Sequence, residues 1–274
     1  MIGLAAHPAS TLADRALALL ADGPASSARL AREVMGLAHA PDAVADRLAV
    51  ALLGADPRVC RLPDLRWGLV TAARGGALLD ECAFAVVDVE TTGSRARGDD
   101  RITEVGVVVV HGARCEVVFD RLVNPGRPIP PRVSAITGIT DAMVARAPTF
   151  EEIADELLGT LSGRVFVAHN ARFDWAFLNG EFRRTRGLAL ESQRLCTVRL
   201  ARRLVRGVES CALDSLMHWF GLENPARHRA AGDALVTARL LTRLIDLARG
   251  HGARTIADLE AIQARRGRRT IPSS

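Results

Sequence analysis

Four carboxylates and one histidine stand where they could hold metal ions and move a proton. Asp88 and Glu90 are two positions apart in an apolar run that reads as a β-strand, so their side chains point to the same face. Two carboxylates on one face of a central strand are costly unless they bind a cation or share a proton. Thr91, Thr92 and Gly93 follow, and Gly93 lets the chain turn sharply. This arrangement favours a functional pair over a solvated one.

Two further clusters supply the remaining groups. The segment from His169 to Asp174 follows a short apolar strand, so it lies at a strand-to-helix junction. Asp174 falls in the first turn of the next helix, where the helix dipole alone would also favour an acid. In the segment from His228 to Asp233, Gly232 reduces bulk just before an otherwise apolar helix. That pattern indicates an acid directed into a site, with a histidine on the preceding loop.

Together these groups predict chemistry on phosphate esters. All-oxygen ligand sets suit the hard cations Mg²⁺ and Mn²⁺. Two such ions ~3.5–4 Å apart stabilise both the attacking and the leaving oxygen of a phosphoryl displacement. A histidine side chain, whose ordinary pKa is near neutral, can take a proton from the attacking water.

The elements that would position these acids form an α/β layer fold. Three closely spaced strands without helices between them predict an antiparallel meander at 84–90, 102–110 and 116–123. Further on, helices alternate with one short buried strand. The helices are predicted at 149–161, 171–184, 197–205, 213–220, 231–248 and 256–263, and the strand at 164–168.

The first 80 residues predict a separate unit. Helices are expected at 12–20, 26–35 and 42–53, and short strands at 58–62 and 66–70. Three helices followed by a hairpin resemble a winged helix. The third helix carries two Asp and one Arg, whereas a helix that reads a DNA groove should be basic or rich in amides. A protein contact or a structural role is therefore favoured over DNA readout.

Composition narrows the classes of protein. All 36 basic residues are Arg, and the net charge is +5. Residues 1–80 are neutral, whereas residues 183–206 hold eight Arg and one Glu, and the C-terminal end is basic again. Such clusters attract phosphate backbones, although a solvated helix face would have the same composition. No apolar run reaches the ~18 residues of a membrane span, and no secretory signal is recognisable.

Cysteine usage points to a reducing compartment. The chain has five widely spaced cysteines and no C-x-x-C motif, which predicts neither a disulfide framework nor a zinc site. We therefore expect reduced thiols in a cytoplasmic protein.

The order of motifs resembles a known family. D-x-E-T-T-G at 88–93, H-N-x-x-F-D at 169–174 and H-x-x-x-x-D at 228–233 resemble the DEDDh (DnaQ-like) 3′–5′ exonucleases. That family includes the proofreading epsilon subunit of bacterial DNA polymerase III. The likeness runs from about 84 to 247 and takes in I-T-G-I-T at 136–140. It implies a ribonuclease-H-like fold, with a mixed five-stranded sheet flanked by helices. The branch with tyrosine in place of the histidine is excluded, because the chain has no Tyr.

The resemblance also implies roles for individual residues. Two Mg²⁺ or Mn²⁺ ions would be held by four acids, namely Asp88, Glu90, Asp174 and Asp233. Asp88 would bridge both ions, and His228 would act as general base. The terminal 3′ nucleotide would be received by the residues that flank these acids, namely Thr91, Thr92, Gly93, His169, Asn170 and Phe173. The reaction would release nucleoside 5′-monophosphates from the 3′ end.

The domain boundaries follow from both arguments. We expect a winged-helix-like domain at 1–73, a linker at 74–82, the exonuclease domain at 83–250, and a C-terminal helix with a basic tail at 251–274. The leading function is a 3′–5′ exonuclease on single-stranded DNA ends, in repair or proofreading. Two alternatives stay open: an RNA exonuclease similar to RNase T or oligoribonuclease, and a nucleic-acid or partner-binding module with weak nuclease activity.

The expected partners follow from that function. They are single-stranded DNA 3′ ends, or RNA, and a polymerase or repair protein that would bind residues 1–73. No membrane partner is expected, and the sequence does not fix the oligomeric state.

Overall fold

The computed structural model describes residues 5–8, 11–56, 58–62, 65–69, 77–224 and 226–264. The strands are β1 (Ala5–Pro8), β2 (Val59–Arg61), β3 (Trp67–Leu69), β4 (Ala83–Thr91), β5 (Ile102–His111), β6 (Arg114–Leu122), β7 (Val165–Ala168), β8 (Leu188–Glu191) and β9 (Arg194–Cys196). The helices are α1 (Leu12–Ala21), α2 (Ser27–Glu33), α3 (Asp42–Leu53), α4 (Pro131–Thr137), α5 (Asp141–Val144), α6 (Phe150–Leu161), α7 (Ala171–Arg186), α8 (Thr197–Leu204), α9 (Leu213–Phe220), α10 (Ala230–Gly250) and α11 (Ile256–Ala264).

A mixed five-stranded sheet forms the centre of the larger unit. Its strand order is β6-β5-β4-β7-β9. β4 pairs antiparallel with β5 and parallel with β7, and β7 pairs parallel with β9. The predicted three-strand meander is confirmed as β4, β5 and β6. β4 is the middle strand of the sheet, so residues at its end can be reached from both faces.

Both faces of the sheet are covered by helices. Phe84 and Val86 point into one core, which α8, α10 and α11 complete, and Val87 and Val89 point into a second core, which α6 and α7 complete. A strand buried on both faces reads as a continuous apolar run, as β4 does up to its first acid. Asp88 and Glu90 continue the face of Phe84 and Val86, so they point toward α10.

The N-terminal helices and hairpin occur where the sequence predicts them. α1, α2 and α3 pack with the β2–β3 hairpin around a small core that includes Leu30, Leu53 and Trp67. On α3, the carboxylate of Asp46 accepts hydrogen bonds from Arg61 and from the hydroxyl of Ser27. The resemblance of this unit to a winged helix stays a prediction.

The structure adds one pairing that the sequence does not predict. β1 pairs antiparallel with β8, a short strand that follows α7. An ion pair of 2.7 Å between Arg58 and Glu191 joins the same two units. Residues of the expected domain 1–73 thus contact the larger unit at two points. The boundary itself stays a prediction, and residues 74–76 of the expected linker, 74–82, lie outside the described residues.

The C-terminal helix closes one edge of the sheet. The side chain of Gln263 accepts a hydrogen bond from the N–H of Cys196 at 3.0 Å and donates to the carbonyl of Arg194 at 2.7 Å. These contacts satisfy backbone groups of the edge strand β9. The expected basic tail, 265–274, lies outside the described residues. Within the described ranges, no helix has the length and apolar character needed to cross a bilayer.

Candidate active site

Three of the predicted acids meet at the end of β4. Asp88 and Glu90 project from the strand, and Asp233 projects from the first turn of α10. One carboxylate oxygen of each lies within 4.8 Å of the others. The strand and the helix therefore bring together acids that are 143 to 145 positions apart in the sequence.

The fourth acid approaches from the opposite layer. Asp174 lies in the first turn of α7 and is 3% exposed. Its carboxylate accepts a hydrogen bond of 3.3 Å from the backbone N–H of Val89, so it lies against β4 between the two acids of that strand. Asp174 is not one of the three residues within 4.8 Å of one another, but its charge acts directly on Asp88.

Burial raises the pKa of all four carboxyl groups. The pKa of Glu90 is raised to about 8, first by burial and then by the charges of Asp233 and Glu104. Burial also raises the pKa of Asp174, to about 7. The pKa of Asp88 lies well above its usual range, through burial and then through repulsion by Asp174 and Glu90. Burial raises the pKa of Asp233 as well. Such clustering is typical of functional sites.

The buried carboxylate of Glu104 sets the position of α10. Glu104 on β5 is fully buried, and Glu90 is its direct cross-strand neighbour. Its carboxylate accepts hydrogen bonds from Arg229 at 2.6 and 2.8 Å and from the backbone N–H of Ala230 at 2.8 Å. An acid at a helix N-terminus is favoured by the helix dipole. Glu104 thereby fixes the start of the helix that carries Asp233.

Two glycines allow this close approach. A Cβ on Gly106, the cross-strand neighbour of Asp88, would lie 2.3 to 2.5 Å from the backbone of Ala230 and Ala231. A Cβ on Gly232 would lie 2.2 Å from the carbonyl oxygen of Ala226. Glu104 and Gly106 were not identified from the sequence. The available signal was an acid and a glycine inside an otherwise apolar strand.

His228 lies on the exposed loop before α10. Its φ of 57° is in the left-handed region, which is uncommon for a residue other than glycine. Its backbone N–H donates to one carboxylate oxygen of Asp233 at 3.2 Å, and Asn224 donates to the other at 2.5 Å. The loop therefore holds both the carboxylate of Asp233 and the backbone of His228. Asn224 was also missed, because nothing in its local sequence marks it.

The end of β4 leads into a turn that is held by hydrogen bonds. The Thr91 hydroxyl donates to the carbonyl of Gly93 at 2.6 Å, and the Thr92 N–H donates to the carbonyl of Arg101 at 2.8 Å. A Cβ on Gly93 would lie 2.4 Å from the carboxylate of Asp100, so only glycine fits there without a shift. This turn starts directly beside the acids of β4.

The second motif forms the start of α7. Nδ1 of His169 lies 2.8 Å from the hydroxyl oxygen of Thr197, and burial lowers the pKa of His169 to about 4. Asn170 is exposed and has a left-handed φ of 73°. Phe173 is half-buried, with its ring 4.9 Å from the ring of Phe177. All three predicted residues lie at the same helix end as Asp174.

The donor set fits a divalent cation. It consists only of carboxylate oxygens, the ligands that hard cations such as Mg²⁺ and Mn²⁺ prefer. Among the described residues, no arginine forms an ion pair with any of the four acids. Their mutual repulsion is therefore left for a bound cation to offset.

The exonuclease family model RNase_T matches residues 85–241, a range that includes all four acids and His228. The chain belongs to this exonuclease family. The DNA polymerase III subunit epsilon of Treponema pallidum is 38% identical over 171 residues, covering 62% of this chain and 79% of that protein. A bifunctional exonuclease/endonuclease protein of Mycobacterium tuberculosis is 40% identical over 205 residues, covering 70% of this chain. The chain spans only 32% of the length of that second relative.

A solved structure extends the likeness to the fold. Exonuclease X in complex with 5′ overhanging duplex DNA superimposes with a TM-score of 0.52 and 30% identity, covering 66% of this chain and 99% of that one. The matches confirm the predicted DEDDh family and the ribonuclease-H-like fold. Exonucleases of this family are metal-dependent, and the acidic cluster is consistent with that. The N-terminal helices lie outside the matched family range.

Proposed function

We propose that this chain is a metal-dependent exonuclease that removes nucleotides one at a time from the 3′ end of single-stranded DNA. The observation that carries the proposal is the convergence of Asp88, Glu90 and Asp233 within 4.8 Å, with Asp174 against the same strand. Hydrolysis of the last phosphodiester would release a nucleoside 5′-monophosphate.

Each part of the site has a role in this proposal. Two Mg²⁺ or Mn²⁺ ions would be held by the four carboxylates, and when bound they supply positive charge to the attacking and leaving oxygens. His228 would accept the proton of the attacking water, from a loop whose backbone is hydrogen-bonded to Asp233. The exposed position of His228 gives it access to substrate and to bulk water.

The flanking residues would orient the end of the strand. The hydrogen-bonded turn of Thr91, Thr92 and Gly93 offers backbone groups beside the acids of β4. His169 would shape the pocket from its buried position, Asn170 is exposed for polar contact, and Phe173 offers an apolar ring edge to a base. We also propose a cytoplasmic location, and a polymerase or repair protein as partner of residues 1–73.

A denaturing-gel assay tests the activity. Single-stranded DNA and RNA of one sequence, labelled at the 5′ end, are incubated with the full chain in Mg²⁺, Mn²⁺ or EDTA. We expect a ladder that shortens from the 3′ end on DNA, absent in EDTA and absent with Asp88→Ala. A ladder mainly on RNA would favour the RNA exonuclease alternative. No ladder on either strand, with wild type equal to Asp88→Ala, would contradict the proposed activity.

A further inference from the structure

A large groove separates the N-terminal helices from the exonuclease domain. Its volume is about 2160 Å³, well above the ~300–1,000 Å³ of typical small-molecule sites. One wall is formed by α1 and the loop after α3. The other wall is formed by residues 95–98, the start of α7, the segment from β8 to β9, and α8. We call this space the interdomain groove; its size suits a stretch of polymer.

The lining of the groove is strongly basic. Seven arginines and three carboxylates line it. Some of these arginines already have partners within the protein. Arg58 forms ion pairs with Asp56 and Glu191 at 2.7 Å, and Arg194 lies 4.9 Å from the ring centroid of Trp175.

Four of the arginines are left without such partners. Arg97, Arg172, Arg199 and Arg202 are exposed, and none forms an ion pair with another described residue. They come from three separate segments: the loop after β4, the first turn of α7, and α8. Like charges that converge on one concave surface repel each other, and a bound polyanion relieves that repulsion. A helix face that is merely solvated would not draw arginines from three segments into one groove.

The groove begins where the candidate active site ends. Residues 95–98 follow the turn of Thr91, Thr92 and Gly93, and Asn170 lines the groove while belonging to the expected nucleotide-binding residues. None of the four acids lines the groove. The role of the groove is therefore to bind substrate rather than to supply catalytic groups.

We propose that the interdomain groove binds the phosphodiester backbone of the strand whose 3′ end lies at the acids, with the N-terminal unit as one wall. This rests on the proposed exonuclease function. Arginine binds phosphate through two parallel hydrogen bonds, and positively charged grooves that follow a single strand span about 4–16 nucleotides. The N-terminal unit then serves by enclosing the strand, and α3 takes no part, because none of its residues lines the groove.

Binding of oligonucleotides to the full chain in EDTA tests this, because no metal-dependent hydrolysis then interferes. Fluorescent dT and rU strands of 4, 8 and 16 nucleotides are titrated at several salt concentrations. We expect the affinity of wild type to rise with length. In Arg199→Ala/Arg202→Ala, affinity for the 16-mer should fall roughly tenfold, and the slope of log K against log salt should shrink by about 1.4, at ~0.7 per lost phosphate contact.

A matched control lies on the same segment. Arg203 and Arg206 are exposed but do not line the groove, so Arg203→Ala/Arg206→Ala removes the same charge from a different surface. This control should keep the affinity and the salt slope of wild type. Equal losses in both double variants, or no dependence on length in wild type, would overturn the proposal. Similar affinities for dT and rU would show that the groove recognises the charge of the backbone. A higher affinity for one of them would identify the natural strand.

The N-terminal wall has its own test. Ala18 on α1 is exposed and lines the groove, whereas Ala43 on α3 is exposed outside it. Ala18→Glu should weaken binding of the 16-mer several-fold by repelling phosphate, and Ala43→Glu should leave it unchanged. Equal affinities of Ala18→Glu and Ala43→Glu for the 16-mer would show that the N-terminal unit is not part of the binding site. Binding that follows these expectations without any hydrolysis in Mg²⁺ would contradict the proposed function alone.

Discussion

At the residue scale, the site consists of acids whose charge the fold does not neutralise. Arg229 is close, but its guanidinium hydrogen-bonds to Glu104, a carboxylate outside the cluster of four. Burial is the first cause of the raised pKa values of Glu90, about 8, and of Asp174, about 7, in the metal-free protein. The motif spacing was enough to predict these acids, whereas their shared environment required the fold.

These pKa values predict how stability depends on pH. Between about pH 5 and 8 the unfolded chain has lost protons that Glu90 and Asp174 still hold in the folded, metal-free protein. The folded state then binds more protons, so the free energy of unfolding falls as the pH rises. We expect the Tm in EDTA to fall over this range, and to fall less in Glu90→Gln, which lacks one of these carboxyls.

Thermal unfolding in EDTA at several pH values measures this effect. Asp246→Asn is the control, because Asp246 is an exposed acid of α10 far along the helix from Asp233. The Tm of Asp246→Asn should fall with rising pH as steeply as that of wild type. Mg²⁺ should reduce the slope in wild type, because a cation replaces the protons. If Tm depended on pH equally in wild type and in Glu90→Gln, this would contradict the inference that the clustered carboxyl groups hold protons in the folded state.

The role of His228 is a separate prediction at this scale. His228→Ala should lower the rate of hydrolysis ~10²–10⁴-fold, the usual span for a lost general base. Single-turnover rates at neutral pH, with Mg²⁺ affinity measured in parallel, separate proton transfer from metal binding. His218→Ala, which changes an exposed histidine of α9, should retain the rate of wild type. Unchanged turnover in His228→Ala would exclude it as the base.

At the element scale, the site depends on how closely α10 approaches β5. Glu104 and Gly106 on β5 contact the first residues of α10, about 125 positions later in the chain. Local patterns predicted both elements with bounds close to those observed. Local patterns could not predict the contact between β5 and α10, because an acid and a glycine in an apolar strand do not indicate which distant residues they contact.

Replacing Gly106 tests this packing. In Gly106→Ala the new Cβ would collide with the backbone at the start of α10, and overpacking of this kind costs about 1–3 kcal/mol. Because Asp233 moves with that helix, hydrolysis should fall as well. Urea unfolding and the exonuclease rate measure the two effects.

Gly159→Ala is the matched control for this substitution. Gly159 is exposed on α6, and nothing lies within 4 Å of its would-be Cβ. This change should raise stability by about 0.5–1 kcal/mol, since alanine is the better helix former, and should leave the rate unaltered. A Gly106→Ala protein as stable and active as wild type would show that the close approach is not required.

At the scale of the whole molecule, the two units are joined more closely than the sequence indicates. The three helices and the hairpin of the N-terminal unit were predictable from apolar spacing and turn residues. The pairing of β1 with β8 was not, since Ala5–Pro8 shows neither alternation nor β-branched residues, and β8 is only four residues long. That pairing, together with Arg58 and Glu191, places the N-terminal unit where the interdomain groove needs a wall.

The most direct test of the central claim identifies the first product of the reaction. An oligonucleotide with different terminal bases is incubated with the full chain and Mg²⁺, and the released species are identified by mass spectrometry. We expect the 5′-monophosphate of the 3′-terminal nucleoside, released by wild type and by Asp246→Asn but not by Asp233→Asn. Release of the 5′-terminal nucleotide, of a 3′-monophosphate, or of the same product at the same rate by Asp233→Asn would contradict the account.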